Sequence, residues 1–180
     1  MEKTLFDKIK PPVFIKTERL TIEEITKNDG ENYRKLYLDD ELNKWWGYDY
    51  RDDLKESEPT AEYFLSFQKH LKEIREEYSL AVKKDGVMIG ELVLYNFEGE
   101  KSLEMGFRFF KDFQGKGYAY ESAFALKEYA FNTLGASRVR SRCFKQNLPS
   151  RKLIERLNLK LSGQNDTHYF FDEKREQNKK

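Results

Sequence analysis

Alternating polar and hydrophobic positions predict a series of strands, and apolar residues at helical spacing predict helices between them. The predicted strands are residues 19–26, 78–84, 87–95, 102–110, 138–144, 159–162 and 168–171. The predicted helices are residues 28–39, 41–46, 60–76, 117–134 and 149–157. Asp85-Gly86 predicts a tight hairpin turn. This order of elements predicts one mixed α/β domain with a right-handed strand–helix–strand crossover.

Both ends of the chain are expected to lie outside the packed domain. Residues 1–16, which include a Pro-Pro pair, are expected to form a loosely held arm, and residues 17–171 the domain. The wholly polar residues 172–180 are expected to be a disordered tail. The polar, acidic stretch 48–59 is expected to be a loop.

Composition narrows the function classes. Lys and Arg total 33 and Asp and Glu 32, and the net charge of +1 argues against direct nucleic-acid binding. No apolar run approaches the ~18 residues of a membrane span, and the first residues lack the apolar region of a signal peptide. The single Cys143 cannot form an internal disulfide and is expected in the core, which fits the cytoplasm. His70 and His168 stand far apart without a cysteine cluster, so no metal site is expected.

The most informative motif is Phe-Gln-Gly-Lys-Gly-Tyr-Ala at residues 113–119, between a predicted strand and a long predicted helix. Gly115 and Gly117 let the backbone turn with its N–H groups exposed. The start of the helix adds free N–H donors and the positive end of the helix dipole. The motif therefore predicts a site for a phosphorylated ligand.

Two common glycine loops fit this motif poorly. A P-loop needs Ser or Thr after Gly-Lys, where this chain has Gly117. A dinucleotide loop needs a third glycine, where this chain has Tyr120. Arg138, Arg140 and Arg142 on the following strand keep an NADP site open as an alternative, and otherwise form a solvated face or meet an acidic partner.

The remaining pattern, Gln-x-x-Gly-x-Ala at residues 114–119, resembles the coenzyme A loop of the GNAT family of acyl-CoA-dependent N-acetyltransferases. Asn-Leu-Pro-Ser at residues 147–150, with Glu155, resembles the Asn-x-x-Ser that opens the family's next helix. Thr-Glu-Arg-Leu at residues 17–20 is similar to the start of the Rim-type branch, the ribosomal-protein N-terminal acetyltransferases. The resemblance implies a mostly antiparallel central sheet flanked by helices.

The resemblance also implies an activity: direct transfer of an acetyl group from acetyl-CoA to a primary amine. The acceptor is either a protein N-terminus, such as that of a ribosomal protein, or a small amine. Many family members carry a Tyr that reprotonates the thiolate, where this chain has Ile154. A coenzyme A-binding sensor or partner module without catalysis therefore remains the alternative. The sequence leaves open whether two copies pair as a homodimer.

Site residues follow from the same resemblance. The cofactor-binding candidates are Phe107, Arg108, Phe109, Gln114, Gly115, Lys116, Gly117, Tyr118, Ala119 and Asn147. Glu104 is the first candidate for the base that deprotonates the amine, Glu91 is the second, and Ser150 is the candidate acid. Trp45 and Trp46 are expected to line the acceptor groove, together with Glu91. Plainer explanations stay open: solvated carboxylates for both glutamates, a helix cap or first-turn hydroxyl for Ser150, and core packing for the tryptophans.

Overall fold

Eight strands form one sheet in the computed structural model, which describes residues 3–52 and 59–176. The strands are β1 (Phe14–Lys16), β2 (Thr21–Glu24), β3 (Glu77–Lys84), β4 (Val87–Glu98), β5 (Ser102–Phe109), β6 (Arg138–Phe144), β7 (Lys160–Gln164) and β8 (His168–Lys174). Their order is β1-β2-β3-β4-β5-β6-β8-β7. Only the β5–β6 pair is parallel among the described pairs, which confirms the mostly antiparallel sheet.

The α-helices of the described residues are α1 (Gly30–Leu38), α2 (Asp40–Asn43), α3 (Ala61–Glu73), α4 (Tyr118–Asn132) and α5 (Leu148–Arg156). Local chemistry sets their ends. The Thr60 hydroxyl accepts a hydrogen bond from the N–H of Tyr63 and so starts α3. Gly135 and Asn158 follow α4 and α5 with φ of +73° and +68°. None of these helices is long and apolar enough to cross a membrane.

The central strands send alternate side chains to two faces of the sheet. The face covered by α4 and α5, here called the α4 face, carries the larger apolar cluster, which includes Leu92, Leu94, Leu103, Met105 and Val139. The predicted core position of Cys143 is confirmed on this face. The opposite face, here called the α1 face, packs on α1 and α3 through Tyr33, Leu36, Tyr37, Phe64, Ala81 and Met88. Toward β5 and β6, the α1 face becomes charged.

The expectation of a loosely held N-terminal arm is wrong for the described residues. Leu5, Ile9 and Val13 are buried in the larger cluster, and β1 pairs with β2. These apolar residues recur every four positions between polar ones, a spacing that buries one side of the segment. Within residues 48–59, predicted as a loop, Tyr50–Asp52 form a short 3-10 helix, and 53–58 lie outside the described residues.

The expected tail also begins later than predicted. β8 continues to Lys174, and Asp172 accepts hydrogen bonds from Arg138 on β6. Arg175 forms an ion pair with Glu128 of α4. A polar strand at this position is possible because its charges are paired across the sheet, a feature that composition does not show. Residues 177–180 lie outside the described residues.

Candidate active site

The two parallel strands at the centre of the sheet pair only at their starts. Residues 102–104 of β5 are in register with residues 138–140 of β6. The Ser141 hydroxyl then donates to the Met105 carbonyl at 2.9 Å, and no later pairing joins the described residues of the two strands. The strands therefore part, and the facing edges of residues 106–109 and 142–144 are free to bond a ligand that carries amide groups.

The glycine loop lies at the end of β5, beside this opening. Gly115 and Gly117 adopt φ of +71° and +82°, and α4 begins directly afterwards without a side-chain cap. Within the described ranges, no protein group accepts from the backbone N–H groups of residues 115–120. A Cβ atom at Gly115 would meet nothing within 4 Å. The loop therefore presents free, solvent-facing donors at the positive end of a helix, which is the arrangement that binds phosphate groups.

A segment from the start of the chain fixes the shape of this loop. Arg19 donates through Nη1 to the Lys116 carbonyl at 3.1 Å and through Nε to Glu121 at 2.7 Å. The Glu121 carboxylate also accepts from the Thr17 hydroxyl at 2.6 Å and the Arg19 N–H at 2.8 Å. Burial alone would raise the pKa of Glu121, but these hydrogen bonds lower it overall. The Arg19 guanidinium also lies 4.6 Å from the ring centroid of Tyr118.

Several cofactor-binding candidates can reach a ligand only through their backbone. The Gln114 side chain donates to the Phe109 carbonyl at 2.8 Å and so ties the loop to the end of β5. Phe107 and Phe109 turn their rings into the larger cluster. The Arg108 side chain is buried on the α1 face, with 5% of the residue exposed. Each of these side chains contacts the protein itself, and the prediction that the backbone of residues 107–109 and the N–H groups of residues 114–119 bind the cofactor stays a prediction.

Asn147 and Ser150 start α5 on the other side of the opening. The Asn147 Oδ1 accepts from the N–H of Ser150 at 3.2 Å, so Asn147 caps the helix. Ser150 is therefore not the cap but a residue of the first helical turn, as the other form of the plainer explanation has it. Its hydroxyl has no hydrogen-bond partner among the described residues, and the residue is half-buried. Ile154 is fully buried in the larger cluster.

Glu104 lies at the last paired position before β5 and β6 part. Its carboxylate accepts from the Tyr95 hydroxyl at 2.8 Å, from Asn96 Nδ2 at 2.9 Å and from Arg142 Nε at 2.8 Å. The residue is 5% exposed, which excludes the alternative of a solvated strand carboxylate. Burial, and then the charge of Glu104, raise the pKa of Tyr95, so its hydroxyl remains a donor.

Glu91 is too deeply buried to contact an amine substrate. Only 1% of the residue is exposed, and its carboxylate accepts from the Tyr33 hydroxyl at 3.0 Å. Arg108 forms the ion pair, with Nε at 2.8 Å and Nη2 at 2.7 Å from the same carboxylate oxygen. The expectation that Glu91 binds substrate or serves as a base is corrected: the carboxylate neutralises Arg108 in the interior.

The two tryptophans lie over opposite sides of the opening, on the α1 face. The Arg108 guanidinium lies 4.4 Å from the ring centroid of Trp46, which covers β5. The ring of Trp45 lies 5.6 Å from that of Phe144 on β6. Both tryptophans are half-buried, so each keeps part of its ring accessible.

The arginines on β6 form ion pairs with acidic side chains of the protein. Arg138 pairs with Asp172, Arg140 with Glu98 at 2.7 Å and Arg142 with Glu104. The Arg138 and Arg142 side chains are 36% and 38% exposed, so the row is a partly solvated face whose charges meet acids, and these ion pairs argue against the NADP alternative. Their alternation along β6 did indicate a shared face, but not the partners.

His168 is a further site residue that sequence patterns did not single out. Its ring centroid lies 4.0 Å from that of Phe144 at the opening. Its pKa is lowered by burial and by the nearby charge of Arg142, so the ring is neutral near pH 7.

The site thus combines a parted sheet centre, a loop of free N–H donors and a buried glutamate where the strands part. Residues 19–160 match the family model described as "Acetyltransferase (GNAT) domain". The chain belongs to this family.

Relatives agree with the assignment. A Bacillus subtilis protein named "Uncharacterized N-acetyltransferase YnaD" is 28% identical over 83% of this chain and 84% of its own length. Mycobacterium smegmatis RimJ, solved in complex with CoA-disulfide, is similar in fold with a TM-score of 0.76 and 16% identity, over 91% of this chain and 88% of that one. RimL, a ribosomal L7/L12 alpha-N-protein acetyltransferase, has a TM-score of 0.76 and 15% identity, over 91% and 94%.

Proposed function

We propose that this protein transfers the acetyl group of acetyl-CoA to a primary amine that approaches from the α1 face. The observation that carries the proposal is the parting of β5 and β6 directly after Glu104, beside a loop of free N–H donors. The opening gives a narrow cofactor chain a route into the sheet. Glu104 is then the first carboxylate met where that route ends.

The residues present fit acetyl-CoA. The N–H groups of residues 115–120 would hold the pyrophosphate, with Lys116 adding positive charge from an exposed position. The backbone of residues 107–109 would pair with the pantetheine amides as an added strand, and Asn147 would bond it from the opposite side. This places the thioester near Met105, where the last link between the strands is made.

The reaction then needs three proton transfers. The acceptor arrives mostly as an ammonium ion and loses one proton to Glu104, directly or through water. The amine nitrogen attacks the thioester carbonyl, the C–S bond breaks, and the leaving thiolate takes a proton from the free hydroxyl of Ser150. The proton still carried by the new amide nitrogen returns to Ser150. The products are an N-acetyl amide and free coenzyme A thiol.

The proposed acceptor class is supported by the similarity to RimL and by the position of the two tryptophans. RimL is named for acetylating the N-terminus of a ribosomal protein, and a protein N-terminus, or a small amine, is proposed here. Trp45 and Trp46 would flank the amine as it enters over the opening. The lone, buried Cys143 fits action in the reducing cytoplasm.

Thermal unfolding with acetyl-CoA tests the cofactor assignment. At ~100 times its Kd, acetyl-CoA should add roughly 2.7 kcal/mol of stability, whereas NADPH and ATP should add none. Gly117→Glu should abolish this increase, because it places a side chain and a negative charge among the loop donors. Gly99→Glu is the matched control: its φ of +55° is also left-handed, and no atom lies within 4 Å of its Cβ position.

Thiol release with a panel of amines separates the two functions. Free coenzyme A thiol that appears only when an amine is present supports acetyl transfer. Stabilisation by acetyl-CoA without thiol release from any amine would instead support a coenzyme A-binding sensor. No stabilisation by acetyl-CoA would refute both.

A further inference from the structure

A cavity of about 410 Å³ opens at the end of the α1 face, next to the candidate base. It is bounded by the start of β3, the end of β4 and the residues that follow α3. Its lining includes the charged residues Arg75, Glu76 and Glu77 together with Tyr95 and Asn96. Tyr95 and Asn96 are also the two uncharged donors that hold Glu104. The cavity and the candidate base therefore share a wall.

Glu77 and Glu104 belong to one row of residues across the sheet. Glu77 of β3 is opposite Tyr95 of β4, and Tyr95 is opposite Glu104 of β5. Residues opposite each other project to the same face, and neighbouring strands are about 4.8 Å apart. The two glutamates are thus separated by roughly 10 Å along the α1 face, with Tyr95 between them.

Glu77 differs from the carboxylates around it because it lacks a counter-charge. Arg108 pairs with Glu91, Arg142 pairs with Glu104, and Arg75 pairs with Asp7. Glu77 is half-buried, and within the described residues no group donates a hydrogen bond to its carboxylate. A buried charge without a partner is costly and calls for an explanation.

The electrostatics at this position reflect burial next to like charge. Burial and the negative charge of Glu91 raise the pKa of Glu77 to about 7, against the opposing effect of Arg108. Glu76 adds a smaller contribution in the same direction as Glu91. A positively charged ligand group in the cavity would stabilise the carboxylate and satisfy its oxygens.

We propose that Glu77 and this cavity form a second subsite of the acceptor site, which binds a cationic group of the acceptor other than the amine that is acetylated. This inference rests on the proposed function. It narrows the acceptor to molecules with a second positive charge roughly 10 Å from the reacting nitrogen. Long alkyl diamines and peptides with a basic side chain near the N-terminus share this chemistry.

Equilibrium binding of alkyl diamines tests the subsite without requiring turnover. Protein saturated with coenzyme A is titrated by calorimetry with α,ω-diamines of increasing length and with n-alkylamines of the same carbon number. Wild-type protein should bind a long diamine about tenfold more tightly than the matched monoamine, and Glu77→Gln should bind both equally. Glu73→Gln removes an exposed charge from α3 and should keep the preference.

A pH series tests the same point without substitution. The preference for the diamine should weaken from about pH 8 to about pH 5, because Glu77 is protonated at the lower pH. Equal binding of diamines and monoamines by wild-type protein would overturn the subsite, as would a preference that survives in Glu77→Gln. Thiol release with monoamines would still support acetyl transfer in that case. A diamine preference without thiol release would support the subsite and refute the transfer.

Discussion

The two faces of the central sheet are made by the same strands, yet they are stabilised in different ways. On β4 and β5, Leu92 and Leu103 face α4 and are fully buried among apolar side chains. Their sequence neighbours Glu91 and Glu104 face α1 and are buried almost as deeply. Burying a leucine stabilises the fold, whereas burying a carboxylate is costly unless it is paired. The proposed chemistry lies on the α1 face, where charge is kept in the interior at such a cost.

Within the α1 face, three carboxylates form a graded series. Glu91 is matched by Arg108 and closed to solvent. Glu104 is held by three donors at the edge of the opening. Glu77 faces a cavity without a partner among the described residues. The same residue type therefore has three different environments, and substitutions should separate the roles proposed for them.

Of the substitutions considered, Glu104→Gln should have the largest effect. It should lower catalytic activity without changing the binding of acetyl-CoA. Loss of a general base lowers kcat/KM by about 10²–10⁴-fold, and the dependence of the rate on the ionisation of this base should disappear. Stabilisation by acetyl-CoA should remain, because the loop is untouched. Initial rates of thiol release across a pH series measure both effects. Glu98→Gln, which loses the exposed partner of Arg140, is the control. A normal rate in Glu104→Gln would assign the base elsewhere.

Substitutions at the adjacent β4 residues Glu91 and Leu92 compare how the two faces contribute to the free energy of unfolding. Glu91→Leu leaves Arg108 buried and unpaired, which should cost about 3–5 kcal/mol in the free energy of unfolding. Adding Arg108→Met should recover most of that loss. Leu92→Ala should cost about 2–5 kcal/mol through its cavity, and Arg108→Met should not rescue it. Urea unfolding of five variants, the three single substitutions and the two doubles with Arg108→Met, gives the comparison. Strict additivity of Glu91→Leu and Arg108→Met would show that the pair is not coupled.

Glu77→Gln should have the smallest effect, and a stabilising one at high pH. The folded pKa of about 7 lies above the ordinary 4.5, so wild-type protein loses stability as the pH rises from about 4.5 to about 7. Below this range the carboxyl is protonated in both states, and the two proteins should be equally stable. Above it, Gln avoids the buried charge, and the variant should be more stable by on the order of 2–3 kcal/mol. Urea unfolding at both ends of the range measures the difference, and a pH-independent difference would contradict it.

Local patterns were enough for much of the fold and for the conformation of the glycine loop. The alternation over residues 138–144 gives the bounds of β6, and Asp85-Gly86 marks the β3–β4 turn. The glycine loop was predictable because positive φ and free N–H donors depend on a few adjacent residues. β1 was missed because three residues are too short for a periodic signal.

The partners of the site carboxylates could not be found in this way. Alternation assigns a side chain to a face but does not say which residue on the next strand it meets. Glu91 and Arg108 are 17 residues apart, and Arg19 and Glu121 are 102 apart. Glu91 was therefore expected at the acceptor surface, although its neighbour on β5 neutralises it. The contact of Arg19 with the loop could not be predicted, because residues 17–20 were informative only as a motif that resembles a family.

The hydrogen bonds of Arg19 to the Lys116 carbonyl and Glu121 couple ligand binding at the loop to local unfolding of the N-terminal segment. If the residues ahead of β2 detach from the sheet, the Lys116 carbonyl and Glu121 lose their shared partner, and the loop loses its shape. A ligand that binds only the ordered loop must therefore make detachment of the segment less frequent. The free energy by which the ligand disfavours detachment equals the free energy by which detachment weakens ligand binding. Occupancy of the phosphate site should thus slow amide hydrogen exchange in β1 and β2, which the ligand does not touch.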